Sequence, residues 1–231
     1  MTALGWLTSS LAEVPGADDW LGPREQRALA ALSVEKRRAS WRLGRWAAKA
    51  AVGAWLALPA SRIEILAGDD GAPDAWLDTE CAPVSVSLSH RGGRALAAVA
   101  STPAVIGCDL ELVEPRSGAF VREWLAPAEQ RLLAACAADE RDRIANLVWT
   151  AKEAAAKVRR EGLRLDVRRA AVDVPDVSAR PAAWRPLTVD WGDDAGARTA
   201  GWWRDEPGWV MAILGAPAPD PPELLAVDQV T

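Results

Sequence analysis

The feature that most restricts the fold of this chain is the order of its predicted elements, because a long helical segment followed by short strands occurs twice. Helical periodicity predicts a helix over 33–58 and a second helical block over 127–161. Runs with strand character follow each helix, at 63–67, 84–89, 95–101 and 105–112, and then at 165–174, 187–191, 199–203 and 209–214. The repetition predicts an α+β protein made of two similar halves.

We place the two halves at 1–103 and 104–215, ahead of a proline-rich tail over 216–231 that we expect to be loosely ordered. The helical segments WRLGRWAAK at 41–49 and WTAKEAAAK at 149–157 share Trp, Ala-Ala and Lys at equal spacing. This echo supports a duplication, and chance similarity in an alanine-rich chain is the alternative. It aligns Lys49 with Lys157.

Composition excludes several classes of function. A single histidine, His90, in 231 residues rules out a metal site with two or more histidine ligands in one chain. Three cysteines without C-x-x-C spacing argue against a structural zinc and a disulfide framework, so we expect a cytoplasmic protein. A net charge of −5 argues against broad nucleic-acid or anionic-membrane binding. The sequence shows no segment that would target or anchor the chain in a membrane.

Asp109 and Glu111 form a carboxylate pair at the end of an apolar strand. Strand alternation places both side chains on one face. Because neighbouring carboxylates repel, the pair requires a cation, and oxygen ligands without histidine favour Mg²⁺ or Mn²⁺. The alternative for the pair taken alone is a polar strand face that leads into a loop.

The helical segment at 149–157 places Trp149, Glu153 and Lys157 on one side, with Lys152 beside them. Only four of the 27 basic residues of the chain are lysines, and two of them lie in this segment. A surface Glu–Lys pair beside a packed tryptophan is the alternative. Together with the carboxylate pair, these residues would suit magnesium-assisted chemistry on a pyrophosphate.

Two further segments are candidates for anion binding. The strand that contains Ser87 and Ser89 ends at His90, before Gly92-Gly93, and such a turn presents a histidine and backbone N–H groups to a phosphate. Within the first helix, 35–49 holds six basic residues and one acid. A hairpin turn with a solvated histidine and a solvated helix face are the respective alternatives.

Three motifs in this order resemble those of the 4′-phosphopantetheinyl transferases of the broad-specificity type (surfactin-synthetase-activating and enterobactin-type). They are Ser87-x-Ser89-His90, Gly107-x-Asp109-x-Glu111 and Trp149-x-x-Lys152-Glu153-Ala154-x-x-Lys157. The resemblance implies an enzyme of two α+β halves with pseudo-twofold symmetry, with coenzyme A between them. The implied reaction moves the 4′-phosphopantetheine arm to a serine of an acyl or peptidyl carrier protein and releases adenosine 3′,5′-bisphosphate.

The resemblance also implies roles and partners. Asp109, Glu111 and Glu153 match magnesium ligands, and Glu153 matches the general base. Residues expected to contact coenzyme A are Lys157 and Lys152 at its phosphates, Ser89 and His90 in a phosphate-binding turn, Arg38 and Arg45 near the 3′-phosphate and adenine, and Gly71 in a nucleotide-binding turn. The implied partners are carrier domains of polyketide synthases, non-ribosomal peptide synthetases and fatty acid synthases, in secondary-metabolite and antibiotic biosynthesis. A monomer is implied, because the duplication replaces a dimer partner.

The sequence departs from the family in two places. A Gly-Lys-Pro turn reads Gly71-Ala72-Pro73 here, so one basic contact is absent unless an arginine replaces it, and Ser87 stands where relatives often have asparagine. Two alternatives stay open. One is another Mg²⁺-dependent phosphoryl or nucleotidyl transferase, and the other is a non-catalytic homologue that binds coenzyme A or a carrier domain.

Overall fold

The structure is a computed structural model that describes residues 2–161, 166–192 and 198–226. Its α-helices are α1 (Pro23–Ala30), α2 (Glu35–Leu56), α3 (Gly118–Trp124), α4 (Pro127–Ala135) and α5 (Arg141–Arg159). The strands of the first half are β1 (Gly5–Ser10), β2 (Ile63–Ala67), β3 (Pro73–Leu77), β4 (Glu80–Cys81), β5 (Val84–Arg91) and β6 (Arg94–Ser101). The later strands are β7 (Val105–Leu112), β8 (Ala171–Asp173), β9 (Arg185–Asp190), β10 (Arg198–Glu206), β11 (Trp209–Ala216) and β12 (Glu223–Leu224).

Each long helix packs on a sheet of its own. The first sheet has the order β12-β1-β6-β5, and α2 buries its alanine-rich face, with Leu43, against β5 and β6. The second sheet has the order β7-β11-β10-β9-β8, and α5 covers it through Leu147 and its buried alanines. A small sheet, β2-β3-β4, completes the first half. The prediction of the α+β class is confirmed.

A third core joins the two sheets. It contains Leu96 and Ala98 of β6, Leu110 of β7, and Met211 and Ile213 of β11, all essentially without exposed surface. The strands therefore bury both faces, one under a helix and the other against the opposite half. This burial explains why their sequences read as continuous apolar runs rather than as alternating ones.

Three serines of β5 connect the halves along the edge of β7. Ser87 Oγ accepts a hydrogen bond from the backbone N–H of Cys108 at 2.9 Å, and Ser85 Oγ accepts one from Ile106 at 3.4 Å. Ser89 Oγ donates to the Asp109 carboxylate at 2.7 Å. Strand alternation places the three hydroxyls on one face, where they pair the edge of β7 with β5. Ser87 is thus a contact between the halves.

Short helices α1 and α4 begin with a repeated sequence, WLGPREQR at 20–27 and WLAPAEQR at 124–131. Each has proline at its first position and a glutamate two residues later. Glu25 accepts a hydrogen bond from the N–H of Gly22 at 2.9 Å, and Glu129 accepts one from Ala126 at 2.7 Å. The two helices therefore start with the same N-terminal cap, which supports the duplication.

Each of these glutamates also forms a buried ion pair with the long helix of its half. Lys49 meets Glu25 and Lys152 meets Glu129, both at 2.7 Å and with almost no exposed surface. Each lysine also donates to the carbonyl of the tryptophan that opens the repeat, at 2.9 and 3.1 Å. Lys49 thus corresponds to Lys152. The sequence-based alignment of Lys49 with Lys157 is wrong.

Several predicted elements differ in extent. The helical block over 127–161 is two helices, because the chain turns at residues 136–140 before α5 begins, and its predicted end at Gly162 lies outside the described residues. The strand over 165–174 is found as β8 alone, with residue 165 also outside. The elements that were not predicted are β1, β3, β4, β12 and α3. No helix within the described ranges combines the length and apolarity needed to cross a bilayer.

The expectation of a loosely ordered tail is wrong for residues 216–226. β12 pairs in parallel with β1, and the N–H groups of Asp220, Glu223 and Leu225 donate to carbonyls of residues 2, 4 and 6. β1 would otherwise leave these carbonyls unpaired at a sheet edge, so the tail completes the first sheet. The part of the tail from 227 to 231 lies outside the described residues.

Candidate active site

A cleft of about 640 Å³ lies between the halves, where β5 and β7 run side by side. The first half contributes Ser87, Leu88 and the turn at Gly71, and the second half contributes Glu153 and Lys157 of α5. Further lining residues include Arg45, Asp70, Trp124, Trp149 and Arg160. The cleft thus contains predicted site residues from both halves.

Gly107 explains why α5 lies so close to the carboxylates of β7. A Cβ atom at this position would stand 2.0 Å from the Ala154 carbonyl oxygen and 2.9 Å from Cβ of Lys157. No side chain fits there, so glycine permits direct contact between the helix and the strand. Since Asp109 follows two residues later on β7, the contact brings Lys157 of α5 to its carboxylate.

Lys157 and Ser89 hold the same oxygen of Asp109. The Lys157 ammonium lies 2.9 Å from Asp109 Oδ1, and the Ser89 hydroxyl lies 2.7 Å from it. Lys157 also donates to the Cys108 carbonyl at 2.8 Å. The second oxygen, Oδ2, is buried and has no hydrogen-bond partner. Asp109 is thus fixed in position with one oxygen left for a ligand.

Glu153 and Glu111 stand close enough to Asp109 to sense its charge. Burial raises the pKa of Glu153, repulsion from Asp109 raises it further, and Lys157 partly offsets both. The pKa of Glu111 is raised for the same two reasons and is lowered in part by Arg116 and Arg91. Three carboxylates that repel one another in a partly desolvated place favour a bound cation.

The three carboxylates are the kind of ligand that a divalent cation such as Mg²⁺ prefers. Asp109, Glu111 and Glu153 supply hard oxygen ligands, and Oδ2 of Asp109 has no partner. Over residues 2–161, 166–192 and 198–226, no three acidic, histidine or cysteine side chains are grouped closely enough to hold a metal ion. Glu111 faces Arg116 at 3.1 Å and Arg91 at 3.6 Å, while Asp109 faces Lys157. In this arrangement the protein's own cations neutralise the carboxylates.

A second cavity of about 420 Å³ adjoins the cleft at Arg45 and Leu88. His90 and basic residues of α2, Lys36 and Arg37, line it. Arg45 stacks on the Trp41 ring at 4.6 Å, and its Nε is buried without a hydrogen-bond acceptor. The pKa of His90 is lowered by partial burial and then by the positive charge of Lys157. The cavity is therefore a cationic pocket with unused donors.

Two predicted contact residues lie elsewhere. Lys152 is fully buried against Glu129 and does not line the cleft, so the structure does not bring it together with the other predicted phosphate contacts. Arg38 donates to the carbonyls of Leu29 and Leu32 at the end of α1, at 2.9 and 3.3 Å. It lines neither the cleft nor the adjoining cavity, and the carbonyls it caps explain its position.

Arg160 was not among the predicted site residues, although it lines the cleft. It follows α5 in a left-handed conformation and reaches across to Asp70 at 2.6 Å and Asp74 at 3.3 Å. These aspartates flank the Gly71-Ala72-Pro73 turn. Ala72 stands where the family's turn has a lysine, and this absence was the signal in the sequence that a basic group could come from another segment. Lys36 and Arg37 belong to the basic segment 35–49 and Ser87 to the Ser87-x-Ser89-His90 motif, whereas Ser85 had no comparable signal.

Comparison with protein families gives two matches. Residues 105–213 match a family model described as the 4′-phosphopantetheinyl transferase superfamily. Residues 25–100 match a model described as the 4′-phosphopantetheinyl transferase N-terminal domain. No curated protein matches the chain.

Solved structures that match include three synthases. One is a holo-(acyl-carrier-protein) synthase from Bacillus anthracis str. Ames in complex with CoA (3′,5′-ADP), with 23% identity, 44% of this chain and 97% of that chain covered, and a TM-score of 0.38. The Helicobacter pylori holo-[acyl-carrier-protein] synthase in complex with coenzyme A has 22% identity, with 43% and 99% covered and a TM-score of 0.35. The Thermotoga maritima holo-[acyl-carrier-protein] synthase has 24% identity, with 54% and 76% covered and a TM-score of 0.35.

Proposed function

Because the chain belongs to the 4′-phosphopantetheinyl transferase superfamily, we propose that it transfers the 4′-phosphopantetheine arm of coenzyme A to a serine hydroxyl of an apo carrier protein. The transfer releases adenosine 3′,5′-bisphosphate. The observation that carries the proposal is that Glu153 and Lys157 line the cleft between the halves, while Lys157 forms an ion pair with Asp109. The charge set there suits a pyrophosphate.

In the reaction, the carrier serine oxygen attacks the phosphorus that bears the pantetheine arm. The bond from that phosphorus to the bridging oxygen breaks, and the nucleotide leaves as the bisphosphate. The serine proton passes to the Glu153 carboxylate, which lines the cleft as a free acceptor. Burial and the negative charge of Asp109 raise the pKa of Glu153, which strengthens this carboxylate as a proton acceptor.

Lys157 is the cation that would contact the phosphates. Lys157 lines the cleft with a third of its side-chain surface (33%) exposed, while its ammonium is held by Asp109 and the Cys108 carbonyl. Phosphoryl transfer needs positioning and charge neutralisation more than covalent help from the protein. When bound to Asp109, Glu111 and Glu153, Mg²⁺ would supply further neutralisation of the pyrophosphate.

The cationic pocket would take the 3′-phosphate end of the nucleotide. Lys36, Arg37 and Arg45 of α2 approach it from one side and His90 from the other. The Gly71 turn borders the cleft with a backbone φ of +82°, which favours glycine. Ser89 positions Asp109 and is thereby a site residue without a direct phosphate contact in this arrangement.

We further propose that the enzyme is of the broad-specificity type and acts as a monomer. The support is the duplication within one chain, seen in the paired ion pairs of Lys49 and Lys152, which gives a two-sided cleft without a second subunit. Its carriers would then be acyl and peptidyl carrier domains of polyketide, non-ribosomal peptide and fatty acid synthases. It would work in the cytoplasm, in secondary-metabolite and antibiotic biosynthesis.

The test is the intact mass of apo carrier domains after incubation with the protein, coenzyme A and Mg²⁺. We expect a gain of one phosphopantetheine with wild-type protein and almost none with Glu153→Ala, which should still bind coenzyme A. Glu80→Ala is the matched control, because Glu80 is exposed on β4 and lines neither the cleft nor the adjoining cavity. Absence of any gain on carriers of all three kinds would refute the proposal.

A further inference from the structure

The Lys157 ammonium lies among oxygens of a kind that a metal ion takes. It is 2.9 Å from Asp109 Oδ1, 2.8 Å from the Cys108 carbonyl and 3.5 Å from the Leu88 carbonyl. These oxygens come from β7 of the second half and β5 of the first. A carboxylate and backbone carbonyls around one positive charge form the type of oxygen shell that hard cations prefer.

Asp109 is bound unevenly within this shell. Oδ1 receives both the ammonium and the Ser89 hydroxyl, whereas Oδ2 is buried and receives nothing. A buried carboxylate oxygen without a partner costs free energy, and a second cation at Asp109 would remove that cost. A divalent cation at Oδ2 would repel the ammonium at Oδ1, so that binding of the metal weakens the hold of Asp109 on Lys157.

We infer that Lys157 is an exchangeable counter-ion of Asp109, which a divalent cation displaces, so that the freed ammonium turns to the phosphates of the substrate. The inference rests on the proposed function, since it takes Asp109 as a metal ligand. It adds that the lysine holds the carboxylate before the metal arrives. It also adds that metal binding and the phosphate contact of Lys157 are coupled.

The cleft offers the Lys157 side chain space on one side. Lys157 extends from the cleft side of α5, and its side chain keeps 33% of its surface exposed. Lys152, one turn earlier on the same helix, is fully buried and cannot move in the same way. Once released from Asp109, the Lys157 side chain can extend into the cleft that it lines.

The first test follows the four lysines of the wild-type protein by NMR with ¹³C,¹⁵N-labelled lysine. We expect Mg²⁺ to shift the side-chain signal of Lys157, assigned by its loss in Lys157→Arg. The signals of Lys49 and Lys152 should stay in place, because the buried ion pairs with Glu25 and Glu129 hold both ammonium groups. A Lys157 signal that stays unchanged at saturating Mg²⁺ overturns the inference.

The second test measures Mn²⁺ affinity without coenzyme A, by electron paramagnetic resonance of free Mn²⁺. Lys157→Met should bind Mn²⁺ at least about tenfold more tightly than wild type. The gain corresponds to the loss of one charge-assisted hydrogen bond, between Lys157 and Asp109, that Mn²⁺ must otherwise displace. Lys157→Arg keeps the charge and should bind like wild type. Adding Asp109→Asn to Lys157→Met should abolish the gain. Equal or weaker binding by Lys157→Met contradicts the inference.

These outcomes separate the inference from the proposed function. If the carrier gains mass and Mn²⁺ binds equally well to wild type and Lys157→Met, the transferase assignment holds and the counter-ion role fails. If neither protein binds Mn²⁺, the metal assignment of Asp109 fails together with the counter-ion role. The mass gain of the carrier then decides separately whether the reaction is the proposed one.

Discussion

Replacing Lys152 decides whether the first lysine of the α5 motif supports the fold or contacts the substrate. Lys152→Met removes the ammonium that lies 2.7 Å from Glu129, in a pair with at most 3% of either side chain exposed. Breaking a buried ion pair on one side costs about 3–5 kcal/mol, because the other charge stays buried. At about 2–4 °C per kcal/mol for a chain of this size, we expect Tm to fall by roughly 6–20 °C.

The assay combines thermal unfolding by circular dichroism with transfer kinetics below the transition. Lys49→Met should cost a similar amount, because Lys49 makes the equivalent pair with Glu25, and Lys36→Met should cost almost nothing at an exposed position. Folded Lys152→Met should keep kcat within about threefold of wild type, since its ammonium does not border the cleft. An unchanged Tm together with lost transfer would refute this reasoning and return Lys152 to the phosphates.

Three further substitutions probe the site. His90→Ala should raise KM for coenzyme A more than it lowers kcat. Because a bound anion raises the lowered pKa of His90, the difference in KM between the variant and wild type should grow as the pH falls. Measurements of KM at several pH values check this. Gly107→Ala should abolish transfer or folding, since its Cβ would stand 2.0 Å from a helix carbonyl; transfer and circular dichroism report both. Arg45→Ala should weaken coenzyme A binding by calorimetry, whereas Arg38→Ala should lower Tm and leave that binding unchanged.

Local patterns in the sequence predicted much of the fold. The strand over 105–112 was predicted with its observed limits, because proline and a run of apolar residues define both its start and its buried length. The hairpin turn was also predictable from the Gly92-Gly93 pair, because glycine adopts positive φ at little cost. Both residues have positive φ in the structure. β1 was missed because its short polar sequence is a strand only when β6 and the tail pair with it.

The site was predictable where one helix face or one strand face carried it. Glu153 and Lys157 lie four residues apart on α5 and therefore share one face of the helix. Gly107 lets this face approach the strand that carries Asp109, so the relative positions follow from the spacing of the motifs. Lys152 points about 100° away from Glu153 around the helix, toward Glu129, which local spacing cannot reveal. The repeat at 20–27 and 124–131 was the signal that would have exposed its structural role.

Arg38 was misplaced for a related reason. It and Arg45 share a helix face but lie about 10 Å apart along the axis, so one reaches the end of α1 and the other the cleft. Arg160 could not be found from spacing, because its partners Asp70 and Asp74 come from the other half of the chain. Contacts across the halves depend on how the two sheets dock, which no local pattern records.

The most direct test of the central claim counts both products of one reaction. Protein, coenzyme A, Mg²⁺ and an apo carrier domain are mixed, and the modified carrier and adenosine 3′,5′-bisphosphate are quantified together by chromatography and intact mass. We expect equal amounts of the two products, and none of either when the acceptor serine of the carrier is replaced by alanine. Bisphosphate released without modified carrier would contradict it and identify a different phosphoryl enzyme.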